Sequence, residues 1–276
     1  MKVKILVACH KPELVYHDSV YTPIHVGRAI SNYKEEMSDM LGDDTGDNIS
    51  KKNPMYCEMT AQYWAWKNIH DVEFIGFCHY RRFFDIFIVN SNIEKILKNK
   101  DVVLIGSRRW HSVERGLGLT ISLEDITIFL MVLKKMYPDY EKDVLTYLKS
   151  NWAPSKNMLI CRKELFDQYA EWIFSLLFEC EKYIRLSPYT RGRRVFAYLA
   201  EYFMPIYFIH NHYRIREASY GIEPKCFFKK RIRSIAGRFF KKGINFMTNC
   251  YKHKNQTFED YYQQAVLVGL KMDGII

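Results

Sequence analysis

Two adjacent arginines follow a short apolar run near residue 80. The run 72–78 predicts a buried strand, and the residues that come directly after it are His79, Tyr80, Arg81 and Arg82. Ligands of open α/β sheets bind beyond the carboxyl ends of the strands, and a guanidinium group donates two parallel hydrogen bonds to an oxyanion. These four residues therefore predict a binding site for a phosphate or another anion. A solvated edge with salt bridges is the alternative interpretation.

The backbone past this strand is expected to divide the four side chains between two faces. In an extended segment, His79 and Arg81 would point to one face, and Tyr80 and Arg82 would point to the other. We expect one face to bind the anion while the other face holds the loop in place by hydrogen bonds and stacking.

Two other predicted strand ends carry cationic or imidazole groups. The residues that follow the runs 2–9 and 101–106 at these ends are His10, Lys11, Arg108, Arg109 and His111. If the strands are parallel, all three ends lie at one edge of the sheet, and the groups converge on one ligand. Independent surface charges in a basic protein are the alternative.

Carboxylates that could act as a general base occur at two places. A helix predicted over 191–203 places Arg194 and Glu201 on one face, because residues seven apart are separated by two turns. Glu201 would accept a proton from an acceptor hydroxyl, and Asp85 is the second candidate. A structural ion pair between Arg194 and Glu201 is the alternative.

No metal or cofactor site is predicted. The acidic loop with Asp43, Asp44 and Asp47 matches neither an EF-hand nor an Asp-x-Asp motif at a strand end, so a capped, solvated turn is expected. The seven cysteines form no C-x-x-C pair. They indicate neither a zinc ribbon nor a disulfide framework, and they favour a reducing cytosol.

An α/β sheet must position these side chains, because predicted strands alternate with predicted helices. The expected strands are 2–9, 72–78, 101–106 and 205–210, with residues 12–52 irregular. The expected helices are one from Asn53, followed by Pro54 at the first helical position, and those over 123–135, 139–148, 163–183 and 191–203. The predicted fold class is α/β, a single domain with a mainly parallel, Rossmann-like sheet flanked by helices.

The net charge of +10 comes from one segment near the end of the chain. Residues 224–254 contain ten lysines or arginines and no acidic residue, and apolar residues recur there at helical spacing. We therefore predict an α/β domain over 1–220 and a basic amphipathic extension over 221–276 that binds an anionic membrane surface. Packing of this helix on the domain and RNA binding are the alternatives. No apolar run is long enough for a signal peptide or a membrane span, so a cytoplasmic protein, peripheral on the inner face of the cell membrane, is expected.

Five stretches resemble a bacterial glycosyltransferase family long catalogued as a domain of unknown function. They are YCEMTAQYWAWKN from Tyr56, IGFCHYRRFF from Ile75, YPDY from Tyr137, NMLICRKELFDQYAEWIF from Asn157 and RRVFAYLAEYF from Arg193. The resemblance covers about residues 1–215, and family members occur in capsule and exopolysaccharide gene clusters. It implies a GT-A-like fold, a UDP-sugar donor, with UDP-galactofuranose among the donors of relatives, and a lipid-linked or growing glycan as acceptor.

The predicted site residues divide into a donor group and an acceptor group. Those that the resemblance places on the donor side are Ala8, His10, Lys11, Asp47, Asn48, Glu58, Thr60, His79, Tyr80, Arg81 and Arg82. We assign the acceptor to Arg109, His111, Asn157 and Arg194. The last motif departs from the family pattern, because Tyr202 and Phe203 follow Glu201 where Arg and Leu are usual and Ala197 replaces a common Gly, which permits a different acceptor.

These features together predict a hexosyltransferase that moves a sugar from a nucleoside diphosphate to a carbohydrate hydroxyl. Arg81 and Arg82, helped by His79, would stabilise the leaving diphosphate in place of the metal ion that an Asp-x-Asp motif holds. A non-catalytic basic module that binds anionic lipid or RNA through the extension is the alternative. Inverting and retaining reactions both stay open.

Overall fold

The computed structural model describes residues 2–107, 111–154, 156–222, 256–267 and 269–270. The described chain divides into two compact units. The first unit comprises residues up to 106, 156–172 and 212–222, and the second comprises 107–154, 173–211 and the described residues from 256 onwards. The chain therefore enters each unit more than once.

The first unit contains a seven-stranded sheet and a small two-stranded sheet. Its strands are β1 Val3–Cys9, β2 Tyr21–His25, β3 Leu41–Gly42, β4 Phe74–His79, β5 Phe83–Phe84, β6 Val102–Ile105, β7 Leu159–Arg162, β8 Ile215–Ala218 and β9 Tyr220–Gly221. The order in the large sheet is β3-β2-β1-β4-β7-β6-β8, and β5 pairs with β9. Only β7 runs antiparallel to its neighbours β4 and β6 in the large sheet, which confirms the predicted mainly parallel α/β fold.

Close packing at the centre of the sheet explains one glycine of β4. A Cβ atom added to Gly76 would lie 2.8 Å from the Ile160 side chain and 3.2 Å from the backbone oxygen of Leu159. Any larger residue would push apart β4 and β7. The side chains of Phe74 and Phe84 are at most 1% exposed, and each contributes about 1.5–3 kcal/mol by leaving water.

The helix predicted from Asn53 is divided into two. α1 spans Asn53–Tyr56 and α2 spans Met59–Asn68, and they are separated at Cys57, whose φ of 49° lies in the left-handed region. The side-chain amide of Asn53 donates to the Cys57 carbonyl (2.8 Å) and to the Thr60 hydroxyl (3.2 Å). These hydrogen bonds connect α1 to α2 across the interruption at Cys57. A short helix, α3 Ile93–Ile96, precedes β6.

The described part of the second unit is helical. Its helices are α4 Val113–Gly118, α5 Leu123–Met136, α6 Glu141–Lys149, the later part of α7 Lys163–Cys180, α8 Thr190–Arg193, α9 Val195–His210 and α10 Phe258–Leu267. Ser112 and Ser122 accept hydrogen bonds from the backbone N–H groups of Arg115 and Asp125, the expected N-caps of α4 and α5.

Several predicted elements need correction. The predicted strand over 205–210 is the last part of α9, which contains Pro205, because a short apolar run does not distinguish a buried helix from a buried strand. Residues 12–52, expected to be irregular, contain β2 and β3. The strands β7, β8 and β9 were not predicted.

The predicted division at residue 220 stays a prediction. The basic segment 224–254 lies outside the described residues. Further along, α10 packs against α5, where Thr127 donates to the Tyr261 carbonyl (3.4 Å), and the Tyr261 hydroxyl donates to Glu114 (2.6 Å). Among the described helices, none combines the length and apolarity needed to cross a membrane.

Candidate functional site

Residues 79–82, which begin with the last residue of β4, form a tight turn at the carboxyl edge of the sheet. The backbone N–H of His79 donates to the carbonyl of Arg82 (3.1 Å), and the N–H of Arg82 donates back to the carbonyl of His79 (2.9 Å). The expected extended alternation of these side chains is therefore wrong, because the chain reverses here to bury Phe83 and Phe84 in β5. Tyr80 N–H donates to the Ala8 carbonyl (3.2 Å), which holds the turn against the end of β1.

The ring of His79 is fixed by its Nε2 atom. Nε2 lies 2.6 Å from the carbonyl oxygen of Lys156 and 3.9 Å from a carboxylate oxygen of Glu58. Because a carbonyl oxygen only accepts hydrogen bonds, Nε2 carries the proton. Within the described part of the chain no group hydrogen-bonds to Nδ1, so this nitrogen can accept a proton or a hydrogen bond from a ligand.

A buried polar cluster supports this arrangement. The side-chain amide of Asn157 donates to Glu58 Oε1 (2.8 Å), and Gln62 donates to the Asn157 carbonyl (2.8 Å). Lys156 and Asn157 both have left-handed backbones, with φ of 81° and 49°. Such conformations cost energy in residues other than glycine and persist only where surrounding contacts enforce them. Asn157, predicted to contact the acceptor, thus lies against Glu58, predicted to contact the donor.

Cationic side chains collect around the same turn. Arg81 lies 3.0 Å from Glu13 Oε2, and its guanidinium stacks 4.9 Å from the centre of the Tyr80 ring. Lys11 lies 3.9 Å from the same Glu13 oxygen. Arg82 is exposed and pairs with no carboxylate among the described residues. The turn and the end of β1 therefore bring three cations and one carboxylate to the surface, an arrangement that favours an anionic ligand.

His10 belongs to the same group. Its ring packs edge-on against Tyr80, with the centroids 5.4 Å apart. Ala8 is 7% exposed and lies opposite His79 in the register of β1 and β4. Of the residues predicted for the donor side, those that meet here are Ala8, His10, Lys11, Glu58, His79, Tyr80, Arg81 and Arg82.

The acidic loop is more buried than expected. Asp43 is inaccessible to solvent and accepts hydrogen bonds from the N–H groups of Gly27 (2.8 Å) and Arg28 (3.1 Å) and from the Ser50 hydroxyl. A capped turn is present, but the expectation that it is solvated is wrong for Asp43. Its carboxylate is used entirely by the fold, which fixes the loop between β3 and α1.

Asp47, Asn48 and Thr60 hold local structure. Asp47 accepts from the Tyr63 hydroxyl (3.1 Å), and burial together with this carboxylate raises the pKa of Tyr63 to about 12. Asn48 donates to the Gly46 carbonyl (2.9 Å). Thr60 is buried and donates to the Cys57 carbonyl (3.0 Å). Their predicted contacts with the donor stay predictions.

Among the described residues, no three His, Cys, Asp or Glu side chains lie close enough together to hold a metal ion. Burial raises the pKa of the Cys9 thiol to about 12 and raises the pKa values of Cys78 and Cys161 further. These thiols are therefore protonated and unreactive at neutral pH.

Comparison with known proteins places the chain in a family. Residues 4–212 match the model of the family described as domain of unknown function DUF4422. The chain belongs to this family. No curated protein sequence matches it.

A solved structure is also similar to the chain. It is the apo structure of the bifunctional glycosyltransferase WbbM, with a TM-score of 0.69 and 28% sequence identity. The match covers 82% of this chain and 46% of the WbbM chain, so the chain spans about half the length of that protein. The mixed α/β fold with its mostly parallel central sheet is thus similar to that of a glycosyltransferase.

The remaining predicted site residues of this family member are divided between the two units. Asp85 follows β5 in the first unit, and its N–H donates to the Ser219 carbonyl (2.8 Å). His111, Arg194 and Glu201 belong to the second unit; Nδ1 of His111 lies 2.9 Å from the Ser112 carbonyl, and Arg194 stacks 5.6 Å from the Tyr198 ring centre. Arg109 lies outside the described residues. Whether these groups contact substrate stays a prediction.

Three residues of the cluster were not predicted. Glu13 follows His10 and Lys11 within four residues, so a search for polar residues past the end of β1 would have found it. Gln62 in α2 is 1% exposed, and its residue type gives no sign that its amide is buried. Lys156 contacts His79 through its main-chain carbonyl, for which no side-chain signal exists in the sequence.

Proposed function

We propose that the protein is a glycosyltransferase that moves a hexose from a nucleoside-diphosphate sugar to a carbohydrate hydroxyl. The observation that carries this proposal is the likeness to the WbbM glycosyltransferase structure, at 28% identity over 82% of the chain. The membership of the DUF4422 family over residues 4–212 agrees with it. We further propose a GT-A-like fold, in keeping with a sheet in which β7 alone is antiparallel to its neighbours in the seven-stranded sheet of the described chain.

In this proposal the donor diphosphate binds at the turn after β4. The leaving diphosphate gains negative charge in the transition state, and preorganised cations aimed at it lower the barrier. Arg82 is exposed and has no carboxylate partner in the described residues, so it is the group that we assign to the diphosphate. Arg81 and Lys11 would add charge, because a diphosphate can replace the single carboxylate of Glu13 as their partner.

The buried cluster suggests a role for His79. With Nε2–H donated to the Lys156 carbonyl, the free Nδ1 would act on the substrate side, as a hydrogen-bond acceptor or, when protonated, as a fourth cation beside Arg81, Arg82 and Lys11. Glu201 and Asp85 remain our candidates for the base that deprotonates the acceptor in an inverting reaction. Arg109, His111, Asn157 and Arg194 remain our candidates for acceptor contacts.

The biological setting is proposed from the sequence resemblance. The donor would be a UDP-sugar, with UDP-galactofuranose as one candidate, and the acceptor a lipid-linked or growing glycan in capsule or exopolysaccharide synthesis. The basic segment 224–254 would bind an anionic membrane surface on the cytoplasmic side. No cofactor beyond the nucleotide sugar is proposed.

A thermal-shift screen tests the proposal. A ligand that binds only the folded state raises the apparent stability by mass action, so the cognate donor should raise the Tm more than its competitors. The panel comprises UDP-, GDP- and dTDP-sugars, each with and without manganese. A shift with one nucleotide class supports a nucleotide-sugar enzyme, whereas no shift with any member contradicts it.

The competing function is a non-catalytic module that binds RNA or anionic lipid through the basic segment. Truncation after residue 220 is an unsuitable test, because Tyr220–Gly221 forms β9, which pairs with β5, and α10 packs on α5. Replacement of the lysines of 224–254 by glutamine in the full chain avoids both losses. Donor-sugar transfer that survives this change supports the enzyme, and loss of all ligand binding supports the module.

A further inference from the structure

A loop of the second unit, which includes the short helix α8, presents arginines together with apolar side chains. Between α7 and α9, residues 185–194 are exposed to solvent, apart from the half-buried Ser187. The segment contains four arginines, Arg185, Arg191, Arg193 and Arg194, and no Asp or Glu occurs from 182 to 200. The loop is therefore a strongly positive surface without internal compensation.

Three of these arginines have no carboxylate partner in the described part of the chain. Arg185, Arg191 and Arg193 form no ion pair with a carboxylate of the described residues. The Arg193 guanidinium donates to the Ser187 and Pro188 carbonyls (both 3.5 Å), so its remaining N–H groups and the guanidinium groups of Arg185 and Arg191 are available to water or to an external anion. Arginine suits phosphate groups in particular, because its planar fork donates two parallel hydrogen bonds.

Apolar side chains accompany this charge. Tyr189 is 79% exposed, and Leu186 is 42% exposed. An exposed Leu gains nothing from a soluble anion, but it gains free energy on entering an apolar layer. Tyrosine is enriched where an apolar layer meets water, because its ring is apolar and its hydroxyl is polar.

The loop has a defined shape. The N–H of Tyr189 donates to the Ser187 hydroxyl (3.2 Å), and the N–H of Arg193 donates to the Tyr189 carbonyl (3.0 Å). A Cβ atom added to Gly192 would lie 2.7 Å from that of Ser187, so the two ends of the turn touch. This closed turn holds Tyr189 at its tip and limits the entropy that would be lost on binding.

We propose that residues 185–194 form a membrane-docking loop that binds the headgroups of an anionic lipid surface. The arginines would pair with lipid phosphates while Tyr189 and Leu186 enter the interface. Charge complementarity favours an anionic surface, and the exposed leucine favours a lipid over RNA, since bases stack on aromatic rings and guanidinium planes. This proposal is independent of the proposed transferase activity and of the segment 224–254.

Vesicle binding of the full chain tests the proposed contribution of the arginines. The triple variant Arg185→Gln, Arg191→Gln, Arg193→Gln should lose affinity for vesicles of phosphatidylcholine with phosphatidylserine. Each basic residue near an anionic surface raises the affinity about fivefold, so the expected loss is on the order of a hundredfold. The substituted side chains are exposed, and unchanged thermal unfolding of the variant checks that it folds.

The matched control removes the same charge from the first unit. Lys95, Lys98 and Lys100 are exposed there, and their triple change to glutamine gives a chain of the same net charge. Vesicle affinity that falls much further in the arginine variant than in this control supports the loop. Equal affinities in the two variants overturn it, because binding would then depend on net charge alone.

Insertion of the tip is tested separately. Tyr189→Trp adds an indole whose fluorescence brominated phospholipid should quench, whereas Tyr33→Trp, at a 41% exposed tyrosine of the first unit, should add no quenched signal. Equal quenching of the two variants overturns the proposal. So does an arginine variant that binds vesicles normally but loses affinity for RNA or for a soluble phosphorylated acceptor.

Discussion

Asn157 allows the buried cluster beneath His79 to be tested by stability alone. Its side chain is 1% exposed and donates to Glu58 Oε1 at 2.8 Å, and its φ is 49°. A hydrogen bond to a charged group contributes about 1.5–3 kcal/mol. Asn157→Gly keeps the left-handed backbone without strain but removes this bond, so it should lower the free energy of unfolding by that amount, plus a glycine entropy term. Asn157→Ala also removes the bond and adds about 1 kcal/mol of left-handed strain.

Asn99 provides the matched control. It has nearly the same backbone conformation, with a φ of 57°, but it is exposed. Asn99→Gly should therefore cost only the entropy that glycine adds to the unfolded chain, about 0.4–1 kcal/mol.

Urea unfolding of the parent and the three variants provides the assay, with the free energy of unfolding extrapolated to water. The difference between Asn157→Gly and Asn99→Gly reports the buried contacts of the Asn157 side chain, which include the bond to Glu58. Equal losses at the two positions would refute that bond. An Asn157→Ala variant that is clearly more stable than Asn157→Gly would refute the left-handed backbone, because alanine would then save the glycine entropy without adding strain.

Three further outcomes are expected. Gly46→Ala should destabilise the acidic loop, because its φ is 54° and an added Cβ would lie 1.9 Å from Asn68 Oδ1; a melting temperature equal to that of the parent would contradict this. The hydrogen bond from Arg214 lowers the pKa of Asp101, so its contribution is present at neutral pH and is lost as the pH falls through that lowered pKa. Arg214→Gln should thus reduce the loss of unfolding free energy between neutral and acid pH, measured by urea unfolding at both pH values. An equal loss in the parent and in the variant would contradict the pairing. Sugar transfer should persist in EDTA, and activity that EDTA abolishes and manganese restores would contradict cationic replacement of the metal.

The parallel core of the first unit could be predicted because its strands are continuous apolar runs. β1, β4 and β6 are buried on both faces, and such strands are apolar at nearly every position. β8 has the sequence IREA, with no apolar run, and depends on its pairing with β6 for its conformation. β2 contains Pro23, which argues against a central strand from sequence alone.

The candidate site was also predictable in its side-chain chemistry but not in its backbone conformation. Strand ends and residue chemistry predicted that His79, Tyr80, Arg81 and Arg82 would stand at the carboxyl edge of the sheet. The tight turn was missed, because reciprocal backbone hydrogen bonds leave no trace in side-chain types. The contact of His79 with the main-chain carbonyl of Lys156 was missed for the same reason, because it depends on backbone conformation and joins residues that are 77 positions apart in the chain.

The central claim is that the turn after β4 binds the diphosphate of a nucleotide sugar. Calorimetric titration of UDP into the parent, Arg82→Gln and Lys98→Gln tests it most directly. The removed charged hydrogen bond is worth about 1.5–3 kcal/mol, so Arg82→Gln should weaken UDP binding at least about tenfold, while Lys98→Gln, an exposed lysine away from the turn, should bind like the parent. Equal UDP affinities of all three proteins would contradict the claim.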